Sequence, residues 1–176
     1  GQQIHEITEM LVGDMGQYAH GNQPIQHAIY LYNWLEQPWK TQMRAREIMD
    51  KLYSSAPDGL CGDEDNGQTS AWYVFSAIGF YPVTPGTGQY AMGSPLFKNV
   101  ILHLQNGNIF EIKAPNNSKE NIYINAIHKN KSPYTKNYIT YKDIMNGSVF
   151  STEMSSEPNR GLGTEQSSKP YSMSQD

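Results

Sequence analysis

Three carboxylates follow one another at Asp63, Glu64 and Asp65, between Gly62 and Gly67, and the apolar, aromatic run from Trp72 to Phe75 comes close behind. Adjacent acids repel, so such a cluster needs a cation, a proton or bulk water to relieve it. On an extended backbone Asp63 and Asp65 share a face and Glu64 turns from it. A carboxylate pair so placed can act as a base with its tuner, or as a base beside a ligand to a hard metal ion. The same letters also suit a plain helix start. Asp65 or Asn66 then caps a helix opening near Gly67, Gln68 or Thr69 closes the first turn, and the macrodipole favours acid there. Spacing alone leaves both open.

The elements that must position this loop are helical on its upstream side. Ile4, Ile7, Met10 and Leu11 follow helical spacing, with His5, Glu6 and Glu9 on the polar side. A second histidine is missing after His5-Glu6, which excludes the zinc-protease helix. Gln17 to Pro24 reads as a polar loop containing His20, Gly21, Asn22 and Gln23. A helix is expected to carry His27, Ile29, Tyr30, Leu31, Trp34 and Leu35. Pro38 opens the next, with Met43, Ile48, Met49 and Leu52 as its buried stripe and Arg44, Arg46, Glu47 and Asp50 as its wet face. Beyond the acidic loop, Trp72, Phe75 and Ser76 share a helical face, and Gly79 ends that helix before Pro82. The aromatics of this half, Tyr30, Tyr32, Trp34, Trp39, Tyr53, Trp72, Tyr73, Phe75, Phe80 and Tyr81, are expected to serve the core first, with a fraction free to pave a sugar site.

From about Tyr81 the character changes. Short alternating runs appear at Val100–Leu104, Ile109–Ile112 and Ile122–Ile124, and Asn106-Gly107 marks a hairpin between the first two. Asn146-Gly147 precedes a further strand at Val149-Phe150. From Ser155 to Asp176 the chain is rich in Ser, Glu, Pro and Gly and reads as an extended or poorly ordered tail. Helices first and strands second predict an α+β chain, divided into a helical part at 1–83 and an antiparallel β region with its tail at 84–176.

Composition narrows the function. The 176 residues carry 13 Lys and Arg against 17 Asp and Glu, without basic clusters, so neither nucleic acid nor an anionic membrane surface is expected as a partner. A single cysteine, Cys61, excludes an internal disulfide and a cysteine-based zinc site. No apolar run approaches membrane-spanning length. The opening Gly-Gln-Gln has no basic region, so the expectation is a mature form or a start partway through a larger protein, and the resemblance below favours the second.

Three stretches together resemble glycoside hydrolase family 92, the calcium-dependent inverting exo-α-mannosidases. They are Gln17-Tyr18-Ala19-His20-Gly21-Asn22-Gln23-Pro24-Ile25-Gln26-His27, Gln37-Pro38-Trp39-Lys40-Thr41-Gln42, and the acidic loop continued through Ala77-Ile78-Gly79-Phe80-Tyr81-Pro82-Val83. The likeness extends through Gly93-Ser94-Pro95-Leu96-Phe97 and weakly to Glu157-Pro158-Asn159. It implies the last helices of an (α/α)6 barrel followed by antiparallel β-sandwich strands, the C-terminal portion of a larger enzyme. The family's general acid, a glutamate, would lie upstream of residue 1.

On the same resemblance, Asp63 and Asp65 are the candidates for base work, and inverting hydrolysis needs one such carboxylate to activate water. Asp65, Asn22 and Gln23 would supply hard oxygens to calcium, although some members of the family carry Glu where this chain has Gln23. His5 and Glu6 would line the terminal-mannose pocket together with Glu64, unless they are simply solvated helix positions. His20 and His27 read as packed, hydrogen-bonded histidines. The implied partners are a mannose-terminated glycan and the missing N-terminal part, the implied linkage is α-1,2, and the implied location is exported: periplasmic, cell-surface or secreted. The competing expectation is a non-catalytic carbohydrate-binding or structural piece that completes a partner segment.

Overall fold

The computed structural model describes residues 28–54, 66–83 and 86–171. The chain enters on a 3-10 turn, Ile29–Asn33, followed by helix α1, Pro38–Ser54, and helix α2, Asn66–Ile78. Sequence periodicity predicted an ordinary helix across Ile29–Leu35. The chain instead winds into a 3-10 turn and reverses at Glu36, which has φ 61°. Pro38 then opens α1, where its fixed φ suits the first turn and its missing N–H costs nothing. Gly79, at φ 118°, stops α2, and a Cβ there would sit 3.2 Å from Pro95.

Two sheets follow. Strands β1 (Phe80–Tyr81), β2 (Gln89–Met92) and β7 (Tyr138–Thr140) form an antiparallel three-stranded sheet in the order β1-β2-β7. Strands β3 (Asn99–His103), β4 (Ile109–Lys113), β5 (Tyr123–Lys129), β6 (Ser132–Pro133) and β8 (Val149–Ser155) form the other, in the order β3-β4-β8-β5-β6. Within it β8 lies parallel to β4 and antiparallel to β5, inserted between two earlier strands. The β3–β4 turn is the one Asn106-Gly107 announces. Gly107 takes φ 85°, and the Asn106 side chain accepts from Asn108 N at 2.9 Å. Inward positions alternate as a half-buried sheet requires, so Leu102, Phe110, Ile112, Ile124, Phe150 and Met154 are all buried. The sheets meet through these side chains, with Phe80 edge-on to Phe110 at 6.1 Å. The architecture is α+β, as the sequence order implies.

Helix α1 departs from its expected facing. Thr41, Gln42, Ala45, Arg46 and Met49 are buried, as is Pro38, whereas Met43 and Ile48 are only half-buried. Arg46, expected on the wet face, is 5% exposed. It is held there because its guanidinium donates to Pro95 O at 2.5 Å, Asn117 Oδ1 at 2.8 Å and Ser118 O at 2.5 Å. Three fixed oxygens replace most of its hydration, which is the condition for burying a cation.

The expected loose tail is a second departure. Residues 157–171 have little to bury, yet polar bonds fasten them down. Asn159 donates to Asn125 O at 2.8 Å, Lys169 pairs with Glu36 at 2.9 Å, and Trp34 Nε1 donates to Tyr171 O at 3.2 Å. Composition reports apolar burial and cannot report side-chain bonds to distant backbone.

Helix α3, Tyr141–Met145, is a single capped turn. Thr140 and Asp143 form a reciprocal capping box, and Asp143 also takes an ion pair from Lys129. Burial pushes the Asp143 carboxyl up, but the Lys129 and Thr140 bonds outweigh it and leave the group below its ordinary value. A carboxylate held low in the folded state stabilises above its unfolded pKa and loses that contribution as pH falls through the folded value. Between about pH 5 and pH 2 the wild-type chain is therefore expected to lose more stability than Asp143→Asn, read as the shift in urea midpoint. Parallel pH profiles would remove Asp143 from the acid response.

Candidate functional site

Each residue singled out for chemistry lies outside the described residues: His5, Glu6, Asn22 and Gln23 in 1–27, and Asp63, Glu64 and Asp65 in 55–65. His20 and His27 lie there too. What the structure describes is the frame from which those segments leave. Helix α1 ends at Ser54, α2 begins at Asn66, and the acidic stretch joins them. The 3-10 turn at Ile29–Asn33 follows directly on 1–27.

That frame is rigidly built. Thr41 Oγ1 donates to Ile29 O at 2.7 Å, which ties α1 to the turn. Gln42 Oε1 accepts from Ile124 N at 2.8 Å, and Arg46 bonds the 95–118 connection, so α1 is fixed to the larger sheet. Tyr30, wholly buried, bonds Ser76 on α2 at 2.7 Å and stacks on Tyr81 at 5.1 Å and 17°. Burial holds the Tyr30 hydroxyl well above its ordinary pKa, and the Ser76 bond only partly offsets this, so it stays protonated. Burial likewise pulls the Arg46 guanidinium below its ordinary value, opposed by Asp50. Neither Tyr30 nor Arg46 is placed for proton transfer. Both hold elements in place.

The remaining described carboxylates do not form a second centre. Glu47 is engaged by Arg44 and Lys51, and Asp143 by Lys129 and Thr140. Among the described residues no group of three His, Cys, Asp or Glu is arranged to hold a metal ion, and no helix is long and apolar enough to cross a membrane. Of the aromatics considered for a sugar platform, Tyr30, Trp72, Phe75, Phe80 and Tyr81 are core. Trp39 is half-buried, and its ring already carries the Arg160 guanidinium at 4.6 Å and Lys40 at 5.4 Å. Sequence reasoning missed Arg46 and its receptor Asn117. The available signal was the spacing of Gln42 and Arg46 with Met49, two polar letters on one stripe with a core methionine.

A frame of two helices bracketing an acidic stretch, joined to paired sheets, defines a glycosidase segment once it is compared with known proteins. Residues 2–156 match the glycosyl hydrolase family 92 catalytic domain, and the chain belongs to that family. Among solved structures it is similar to the family GH92 inverting mannosidase BT2199 of Bacteroides thetaiotaomicron, with 55% identity and a TM-score of 0.81 over 99% of this chain and 24% of that one. It is also similar to the GH92 α-mannosidase BT3965 of the same organism, with 42% identity and a TM-score of 0.80 over 92% of this chain and 22% of that one. A secreted glycosidase of Arthroderma benhamiae, itself uncharacterized, is 30% identical over 87% of this chain and 20% of its own length. The chain thus spans less than a quarter of the length of each of these three relatives.

Proposed function

We propose that the protein to which these residues belong removes terminal α-linked mannose from glycans by inversion, with calcium, and that this chain forms its C-terminal portion. The reading is carried by the 55% identity, over 99% of the chain, to an inverting mannosidase. In it, residues 1–83 contribute the last helices of an (α/α)6 barrel and residues 84–176 the β region. Asp63 or Asp65 deprotonates the attacking water, the like charge of its neighbour keeping the two unequal. The general acid, a glutamate, comes from outside residues 1–176. His5, Glu6 and Glu64 contact the sugar. Asp65, Asn22 and Gln23 offer a carboxylate and two amide oxygens, the hard donors that calcium takes. Calcium, when bound, would orient and polarise the sugar hydroxyls. The α-1,2 linkage belongs to the same reading. So does export, supported by the relative that is described as secreted.

Hydrolysis of an α-mannoside followed by NMR tests this. The first product is expected to be β-mannose, a chelator is expected to stop release, and added calcium to restore it. First appearance of α-mannose, or indifference to chelator, would sink the inverting or the metal part. The 176-residue chain alone is expected to be inactive for want of the acid. Turnover by it would place the acid within these residues. Calorimetry with mannose separates the competing reading, a binding or structural piece, because that predicts heat of binding, or none, without product.

A further inference from the structure

Among the described residues, three buried polar atoms have no hydrogen-bond partner: Asn33 Oδ1, Asn137 Oδ1 and Ser168 Oγ. Their residues come from distant parts of the chain, the 3-10 turn before α1, the approach to β7 and a second 3-10 turn at Gln166–Ser168, yet they are bonded one to the next. Asn33 Nδ2 donates to Met92 O at 2.9 Å and Asn137 O at 3.1 Å. Asn137 Nδ2 donates to Asn33 O at 2.8 Å and Gly163 O at 3.0 Å, and Asn137 N donates to Ser168 O at 2.8 Å. Both hydrogens of each carboxamide are thereby used on carbonyl oxygens. Rotating either amide would set its Oδ1 against two acceptors and lose both bonds. The orientation of each Oδ1 is therefore fixed, and each needs a donor.

We propose that Asn33, Asn137 and Ser168 form an internal polar site that takes one water molecule. A water offers two hydrogens, one for each Oδ1, and accepts the Ser168 hydroxyl hydrogen. Three bonds are the usual complement of an internal water. Burying these oxygens without such a partner is costly, since each is 0–4% exposed. A metal ion suits the site less well, because the three ligands are neutral and the ion's charge would be buried uncompensated. The water closes a clasp. On one side stands the turn that follows residues 1–27, and on the other residues 166–171, which Lys169–Glu36 and Trp34–Tyr171 also hold. This inference stands apart from the catalytic reading and survives its failure.

A crystal structure of the protein is expected to show one solvent peak about 3 Å from Asn33 Oδ1, Asn137 Oδ1 and Ser168 Oγ. Protein donors on these oxygens, a dry site, or a peak at ion-ligand distances near ~2.4 Å would each overturn the proposal. A second measurement is a double-mutant cycle of Asn33→Ala and Ser168→Ala in urea. A shared water makes the two effects on the unfolding constant non-additive by about threefold or more. Strict additivity would also overturn it.

Discussion

Asp65→Asn in the full-length protein is expected to lower kcat for mannose release by about 10²–10⁴-fold, the usual range for a general base. The substitution keeps the shape of the side chain and removes its charge and basicity. It also separates the two accounts of the acidic stretch cleanly. Helix α2 begins at Asn66, so Asp65 stands directly before its first residue in sequence. As a helix cap, Asn serves about as well as Asp, and an architectural role would leave both rate and stability nearly unchanged. A base would be lost outright. A calcium ligand without base function gives a third signature, in which higher calcium recovers much of the rate. Asp63→Asn beside it assigns the two carboxylates. A kcat within twofold of wild type for Asp65→Asn would return the residue to the cap.

The sequence made some elements legible and left others hidden, and the division follows the range of the forces involved. Pro38, Gly79 and Asn106-Gly107 act on their own backbone, and the helix start, helix stop and hairpin fall where those letters put them. Alternation at Val100–Leu104 and Ile109–Ile112 reports one buried face, and β3 and β4 bury Leu102, Phe110 and Ile112 accordingly. Arg46 was hidden because its burial depends on Pro95, Asn117 and Ser118, dozens of residues away. The fastening of 157–171 was hidden likewise, since Asn125 and Glu36 hold it from other elements. The chemistry of Asp63 and Asp65 was visible as residue type, but their roles came from resemblance to a family. Whether Asn22 and Gln23 meet Asp65 is a matter of tertiary approach, which adjacent letters do not encode.

Arg46→Met is expected to cost about 2 kcal/mol or more of folding stability, because it strands one acceptor in the interior, Asn117 Oδ1, and a second that is part-buried, Ser118 O. Pro95 O keeps a bond from Asn117 Nδ2 at 2.8 Å, so the penalty falls on Asn117 Oδ1 and Ser118 O. Two effects oppose it: Met packs well, and the desolvated guanidinium is gone, whose burial already lowers its pKa. The stranded acceptors outweigh both, since helix α1 and the 95–118 connection are each held by other contacts and cannot open freely. Arg46→Lys should fall between, since one ammonium cannot reach both sides of a planar fork. The measurement is urea unfolding of all three proteins. If the loss arises from stranded oxygens, adding Asn117→Leu to Arg46→Met removes one of them and costs less than the same change made in the wild type. A lost charge interaction with Asp50 instead would leave the Asn117 change additive, and a loss below about 0.5 kcal/mol for Arg46→Met would mean that packing alone holds α1 to the sheet.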